Sequence, residues 1–143
     1  MKTQDYTLLN EIKKNTELAM LAIDTLLPKS SDDMMYHELE RQNLIYSSLH
    51  DKAVRRLVSN RQHLENPGKM TEWMMVNSLN VKTLLDVSSS HIAELMMQGS
   101  NMGLTSVVKQ MNHTQEAGKE IMETAQELAC FEEDCLKRWK EFL

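Results

Sequence analysis

Proline occurs twice and glycine four times in these 143 residues, and valine, isoleucine and threonine never form alternating runs. Sheets need turn residues and a period of two, so these shortages point to an all-α fold. Cysteine contributes only Cys130 and Cys135. Their spacing on one helix sets the Cα atoms too far apart for an internal disulfide, so both are expected as reduced, partly buried thiols. No apolar run approaches the roughly 20 residues of a membrane span. The start, Met1-Lys2-Thr3-Gln4-Asp5, lacks the apolar core of a signal peptide. Surplus positive charge is missing too: the formal net charge is −5, which argues against nucleic acid as a partner. A cytoplasmic protein is the expectation.

What is present is the 3.6-residue period. The chain reads as one domain, 1–143, with helices at about 3–27, 32–65, 72–111 and 115–142. Leu8, Ile12, Ala19, Ala22, Ile23 and Leu26 share one face of the first helix, which Pro28 ends. Ser31, followed by Asp32 and Asp33, suits an N-cap for the second. That helix turns Met35, Leu39, Tyr46, Leu49, Ala53 and Leu57 inward. Asn66-Pro67-Gly68 and Asn112-His113-Thr114 are the later breaks, and Thr71 caps the third helix. The fourth turns Ile121, Ala125, Leu128, Cys135, Trp139 and Phe142 inward. Short connections between long helices predict an antiparallel up-down-up-down four-helix bundle.

The stretch Trp73–Val108 carries only three charged residues, Lys82, Asp86 and Glu94. A long helix with so few charges must be covered on more than one side. Projected at 100° per residue it shows two apolar stripes. One, with Val81, Leu84, Ile92, Leu95 and Met102, is expected to face the core. The other, with Met75, Leu79, Asp86, Ala93 and Met97, needs another partner, and a second copy of the chain is the expectation. Gly99 and Gly103 weaken the same helix and mark a bend, a close crossing or an opening for a ligand. Seven of the twelve methionines fall between Met70 and Met111. Thioethers bind Cu(I), but they more often fill irregular cores or form pliable surfaces.

Catalytic motifs are missing: there is no GxSxG, P-loop, GxGxxG, HExxH or paired CxxC. A di-iron bundle needs Glu-x-x-His on two helices, and the chain holds only the reverse order, at His37/Glu40, His91/Glu94 and His113/Glu116. Polar residues nevertheless interrupt the inward lines. With alternating helix directions, Asn15, Gln42, His91, Glu94 and Glu132 come to about one level, with Glu38 one turn away. A buried polar layer that fixes register is one account. A metal site for iron, manganese or zinc, built from Glu38, His91, Glu94 and Glu132, is the other.

The run Ser90-His91-Ile92-Ala93-Glu94-Leu95-Met96-Met97-Gln98-Gly99-Ser100-Asn101-Met102-Gly103, with Ile23-Asp24-Thr25-Leu26-Leu27-Pro28, resembles a group of small uncharacterised bacterial proteins associated with ferritin-like four-helix bundles. The resemblance covers most of the chain. It implies the bundle, and it marks His91, Glu94, Gly99, Ser100 and Gly103 as that group's pattern. It implies no activity, and the chain departs from metal-binding ferritin-like proteins in lacking Glu-x-x-His. The expected function is therefore a non-enzymatic, self-associating structural or interaction module. The alternatives are the metal-binding bundle and a small-ligand site between helices.

Overall fold

The computed structural model describes residues 1–60 and 86–143. Their four long helices are α1 (Thr3–Leu26), α2 (Asp33–Ser59), α3 (Ser89–His113) and α4 (Lys119–Trp139), with 3₁₀ turns at Leu27–Lys29 and Lys140–Phe142. The described residues contain no strand. The described chain is all-α, as its turn-poor sequence predicts.

Helix ends follow local chemistry. Pro28 sits in the first 3₁₀ turn, where a missing N–H costs little. Asp32, rather than Ser31, caps α2: its Oδ1 accepts from the N–H groups of Met34 at 2.8 Å and Met35 at 3.2 Å. A carboxylate serves the positive end of the helix better than a hydroxyl. α4 begins at Lys119, later than expected, because its start is capped from another helix. Asp5 Oδ1 on α1 accepts from Gly118 N–H at 2.6 Å, and Gln4 Oε1 accepts from Glu116 N–H at 2.9 Å.

The helix expected over 72–111 differs most. Asp86, Val87 and Ser88 are not helical, and α3 begins at Ser89. Ser88 Oγ accepts from His91 N–H at 3.3 Å, while Asp86 Oδ1 accepts from Ser88 N–H at 2.9 Å. Serine and aspartate side chains compete for backbone groups and favour caps over helix interiors. The earlier part of that expected helix, with Met75 and Leu79, lies outside the described residues, as do Asn66-Pro67-Gly68, Thr71 and the end of helix 2 near Glu65.

Its two stripes also need correcting. Ala93, expected on the outer stripe, is fully buried in the core, and Met97 packs against that core, whereas Met102, expected inside, is 42% exposed. The buried line is Ile92, Ala93, Met96, Ser100 and Val107. Asp86 is exposed. Of the described outer stripe, Ala93 and Met97 are thus used within the chain, while Val108, also expected on it, is exposed. The other three helices bury the expected faces, with Leu8, Ile12, Tyr46, Leu57, Leu128 and Trp139 among the fully buried side chains.

Cross-helix contacts fix helix directions. Asp24 meets Asn43 and Glu17 meets His50, so α1 and α2 run oppositely. Arg138 reaches Glu38, Glu127 meets Lys52 and Glu120 meets Arg56, so α2 and α4 do too. Strict alternation would run α3 alongside α1 in the same sense. Instead Asn15 meets Gly103 and Glu11 meets Ser106, with residue numbers running in opposite senses. The start of α3 lies by the start of α2, where Ser89 Oγ donates to Asp32 Oδ2 at 3.3 Å. The chain leaves α2 at one end of the helices and enters α3 at the other.

Candidate functional site

Between α1 and α3, floored by residues of α2 and α4, lies a cavity of about 230 Å³. Its apolar side comes from Leu18, Ala19, Ala22 and Leu26 of α1 with Leu95 and Met96 of α3. Its polar side carries Asn15, Tyr46, Ser100 and Glu132, with Glu11, Lys14 and Ser106 also in the lining. By comparison with benzene in a cavity of about 150 Å³, it suits a molecule of roughly nine non-hydrogen atoms.

Glu132 is the centre of the polar side. It is 1% exposed, and Tyr46 Oη donates to its Oε2 at 2.9 Å. Burial pushes its carboxyl up to about 8, against smaller lowering by the Tyr46 and Ser100 hydroxyls. At neutral pH it is mainly the neutral acid. No salt bridge reaches it from the described residues. Tyr46 is itself pushed well up by burial, with Glu132 and Cys135 adding to the effect, and burial likewise pushes the Cys135 thiol up. Cys135 is therefore an inert buried thiol touching Tyr46 Oη at 3.9 Å, whereas Cys130 is exposed.

Gly103 explains how the helices come this close. A Cβ there would stand 2.8 Å from Glu132 Oε1 and 2.9 Å from Asn15 Oδ1. Only a bare α-carbon lets both side chains lie over α3 at this level. Asn15 Nδ2 donates to Gly103 O at 2.8 Å, which fixes the orientation of that amide and turns its oxygen away from the carbonyl. Ser100, one turn earlier, is 3% exposed. Its hydroxyl acts on both the Glu132 carboxyl and the Tyr46 phenol, lowering each, while no hydrogen bond of standard geometry closes on its Oγ. Buried hydroxyls are normally fully satisfied, so this one keeps polar capacity towards the cavity.

The four residues expected to bind metal do not converge. Glu132 is in the floor. Glu38 is held by Arg41, Gln42 and Arg138 at 2.8–3.4 Å; burial raises its carboxyl, but these partners outweigh it and leave the group lowered. His91 and Glu94 pair with each other at 3.5 Å, with side chains 35% and 58% exposed. The direction of α3 is the reason. His91 lies nine positions before Ser100, about 14 Å along the axis, so Ser100 and Gly103 occupy the level assigned to His91. Among the described residues, no group of three or more His, Cys, Asp or Glu side chains is placed to hold a metal ion. Gln42 is buried but bonds Glu38 through Nε2 at 3.0 Å, leaving its own Oε1 without a partner.

Tyr46 and Ser100 were not singled out as site residues by position in the sequence. Gly99, Ser100 and Gly103, marked by the resemblance, all line the cavity; His91 and Glu94 do not. Comparison with family models, curated proteins and solved structures finds no match to this chain.

Proposed function

We propose that the protein is a small-ligand binding bundle, taking one mostly apolar molecule with a single polar head into the cavity beside Glu132. The observation carrying this reading is a cavity of about 230 Å³ whose floor is a nearly fully buried carboxyl that no cation reaches among the described residues. A polar layer serving register alone would fill the space beside its own carboxyl. The apolar side supplies affinity by removing a hydrocarbon body from water, and the few polar groups orient the head.

The framework suits the task. We propose the ferritin-like arrangement, with two helical hairpins joined by one long crossover; support comes from α2 and α3 starting at the same end. This replaces up-down-up-down alternation. The two free thiols suit a reducing, cytoplasmic setting, and among the described residues no helix is long and apolar enough to cross a membrane.

Titration calorimetry with cyclohexylmethanol and cyclohexylmethylamine tests the cavity. Saturable one-to-one binding of either is expected, and Ala22→Phe, which fills the apolar side, abolishes it. Absence of saturable binding by both, or unchanged binding to the filled variant, refutes the reading.

A further inference from the structure

The polar side has a bias that identifies the head group. Apart from the Ser100 hydroxyl and the proton of the neutral Glu132 carboxyl, its side-chain N–H and O–H donors are committed: Tyr46 Oη to Glu132, Asn15 Nδ2 to Gly103 O, Ser106 Oγ to Glu11 at 2.5 Å and Lys14 Nζ to Glu11 at 3.0 Å. Once Glu132 gives up its proton, the acceptors are not. Glu132 Oε1 and Asn15 Oδ1 receive no hydrogen bond from the described residues, and both lie within 2.9 Å of the same point beside Gly103. They are thus no further apart than two hydrogen-bond lengths. Ser100 Oγ, on the same face of α3 one turn away, is a third oxygen beside the carboxyl on which no hydrogen bond of standard geometry closes.

Resting on the cavity reading above, we infer that the ligand is a primary amine on a compact hydrocarbon body, its ammonium group held by Glu132, Asn15 and Ser100. An ammonium brings three N–H donors and accepts nothing, matching three oxygens with capacity to accept. A carbonyl head could take the O–H groups of neutral Glu132 and Ser100 but would set its lone pairs against Asn15 Oδ1. A carboxylate head would meet the same oxygen and, among the described lining residues, no free cation, since Lys14 is paired with Glu11. The charge of Glu11 is likewise matched by Lys14, leaving Glu132 as the carboxyl whose countercharge the ligand supplies.

Binding then exchanges a proton. The ammonium enters with its charge, the Glu132 carboxyl loses its proton to solvent, and a carboxylate–ammonium pair remains in the cavity. The groups facing this carboxyl are Tyr46 from α2, Cys135 from α4 itself, and Glu11 and Lys14 from α1, while the residues of α3 lining the cavity are not ionisable. Tyr46 and Cys135 are held neutral by burial, so the released proton comes from Glu132.

The same isosteric pair of probes tests this from pH 6 to 9, in buffers of differing ionisation heat. Cyclohexylmethylamine is expected to bind about tenfold or more tighter than cyclohexylmethanol at pH 8. Its affinity rises roughly tenfold per pH unit below 8 and then levels, with close to one proton released at pH 6.5, while the alcohol shows no pH dependence. Glu132→Gln removes the preference for the amine and abolishes the proton release. Equal binding of the two probes to the parent protein, no proton release, or an amine preference surviving in Glu132→Gln overturns the amine assignment and leaves the cavity reading standing. Failure of both probes overturns both. The proton count needs no variant, so it decides the matter even if Glu132→Gln does not fold.

Discussion

Glu132 is where the protein's stability is most exposed to pH. In the unfolded chain its carboxyl titrates near 4.5, and in the folded protein near 8. Below both values the acid is neutral in either state and costs nothing. Between them the unfolded chain ionises while the native chain holds its proton, so each pH unit removes about 1.4 kcal/mol of stability. From pH 5 to pH 8 this integrates to a loss of roughly 3–4 kcal/mol, a substantial part of the 5–15 kcal/mol typical of a domain. Glu132→Gln keeps size, neutrality and the acceptor for Tyr46, and it does not titrate. Urea unfolding of both proteins at pH 5, 6.5, 8 and 9 isolates the effect, because every other titrating group cancels in the difference. The variant should match the parent closely at pH 5 and exceed it progressively up to pH 8, after which the gap holds steady. A gap independent of pH, or a parent protein gaining stability relative to the variant as pH rises, would refute the buried neutral acid.

Three further outcomes follow from the same contacts. Gly103→Ala gains about 1 kcal/mol of helix propensity, yet its methyl collides with Glu132 and Asn15, which costs about 1–3 kcal/mol; a net loss of up to about 2 kcal/mol in urea unfolding is expected. Tyr46→Phe strips the buried acid of its donor, costing about 1–2 kcal/mol, and shifts the titration of Glu132 further upward, seen as a higher pH midpoint in that same difference curve. Asp5→Ala removes the cap on α4 and costs about 1 kcal/mol at pH 7. Because the Gly118 N–H above all holds the Asp5 carboxyl below its ordinary value, that loss should be complete at pH 5 and fade as pH falls below about 4 in thermal melts.

Much of the fold is legible in the amino-acid order, since helix period, Pro28 and the Asn112-His113-Thr114 break act locally. Burial of Leu39, Tyr46, Leu128 and Trp139 follows from spacing alone. Helix direction does not, because it depends on the path between hairpins rather than on any helical pattern. One wrong direction for α3 was enough to set His91 level with Glu132, where Ser100 and Gly103 belong. Glu132 itself was visible as a carboxyl on an apolar line. Its partner Tyr46 was hidden by its own hydrophobicity, having been counted as core. The start of α4 was missed for a related reason: its cap is Asp5, remote in the chain.

The directions of the described helices make the protein resemble a heterodimer written as one chain. Each hairpin closes on itself through a short turn, and recognition between the two falls to a contact surface with a polar centre: Asn15 against Gly103, Tyr46 against Glu132. Such a surface penalises incorrect docking. A slip of one helical turn, about 5.4 Å, would bury the amide, the phenol and the acid against hydrocarbon. Hairpins 1–60 and 86–143, produced as separate polypeptides, would therefore have a geometric basis for finding the correct mate in the correct register, and the cavity between α1 and α3 would exist only once they had.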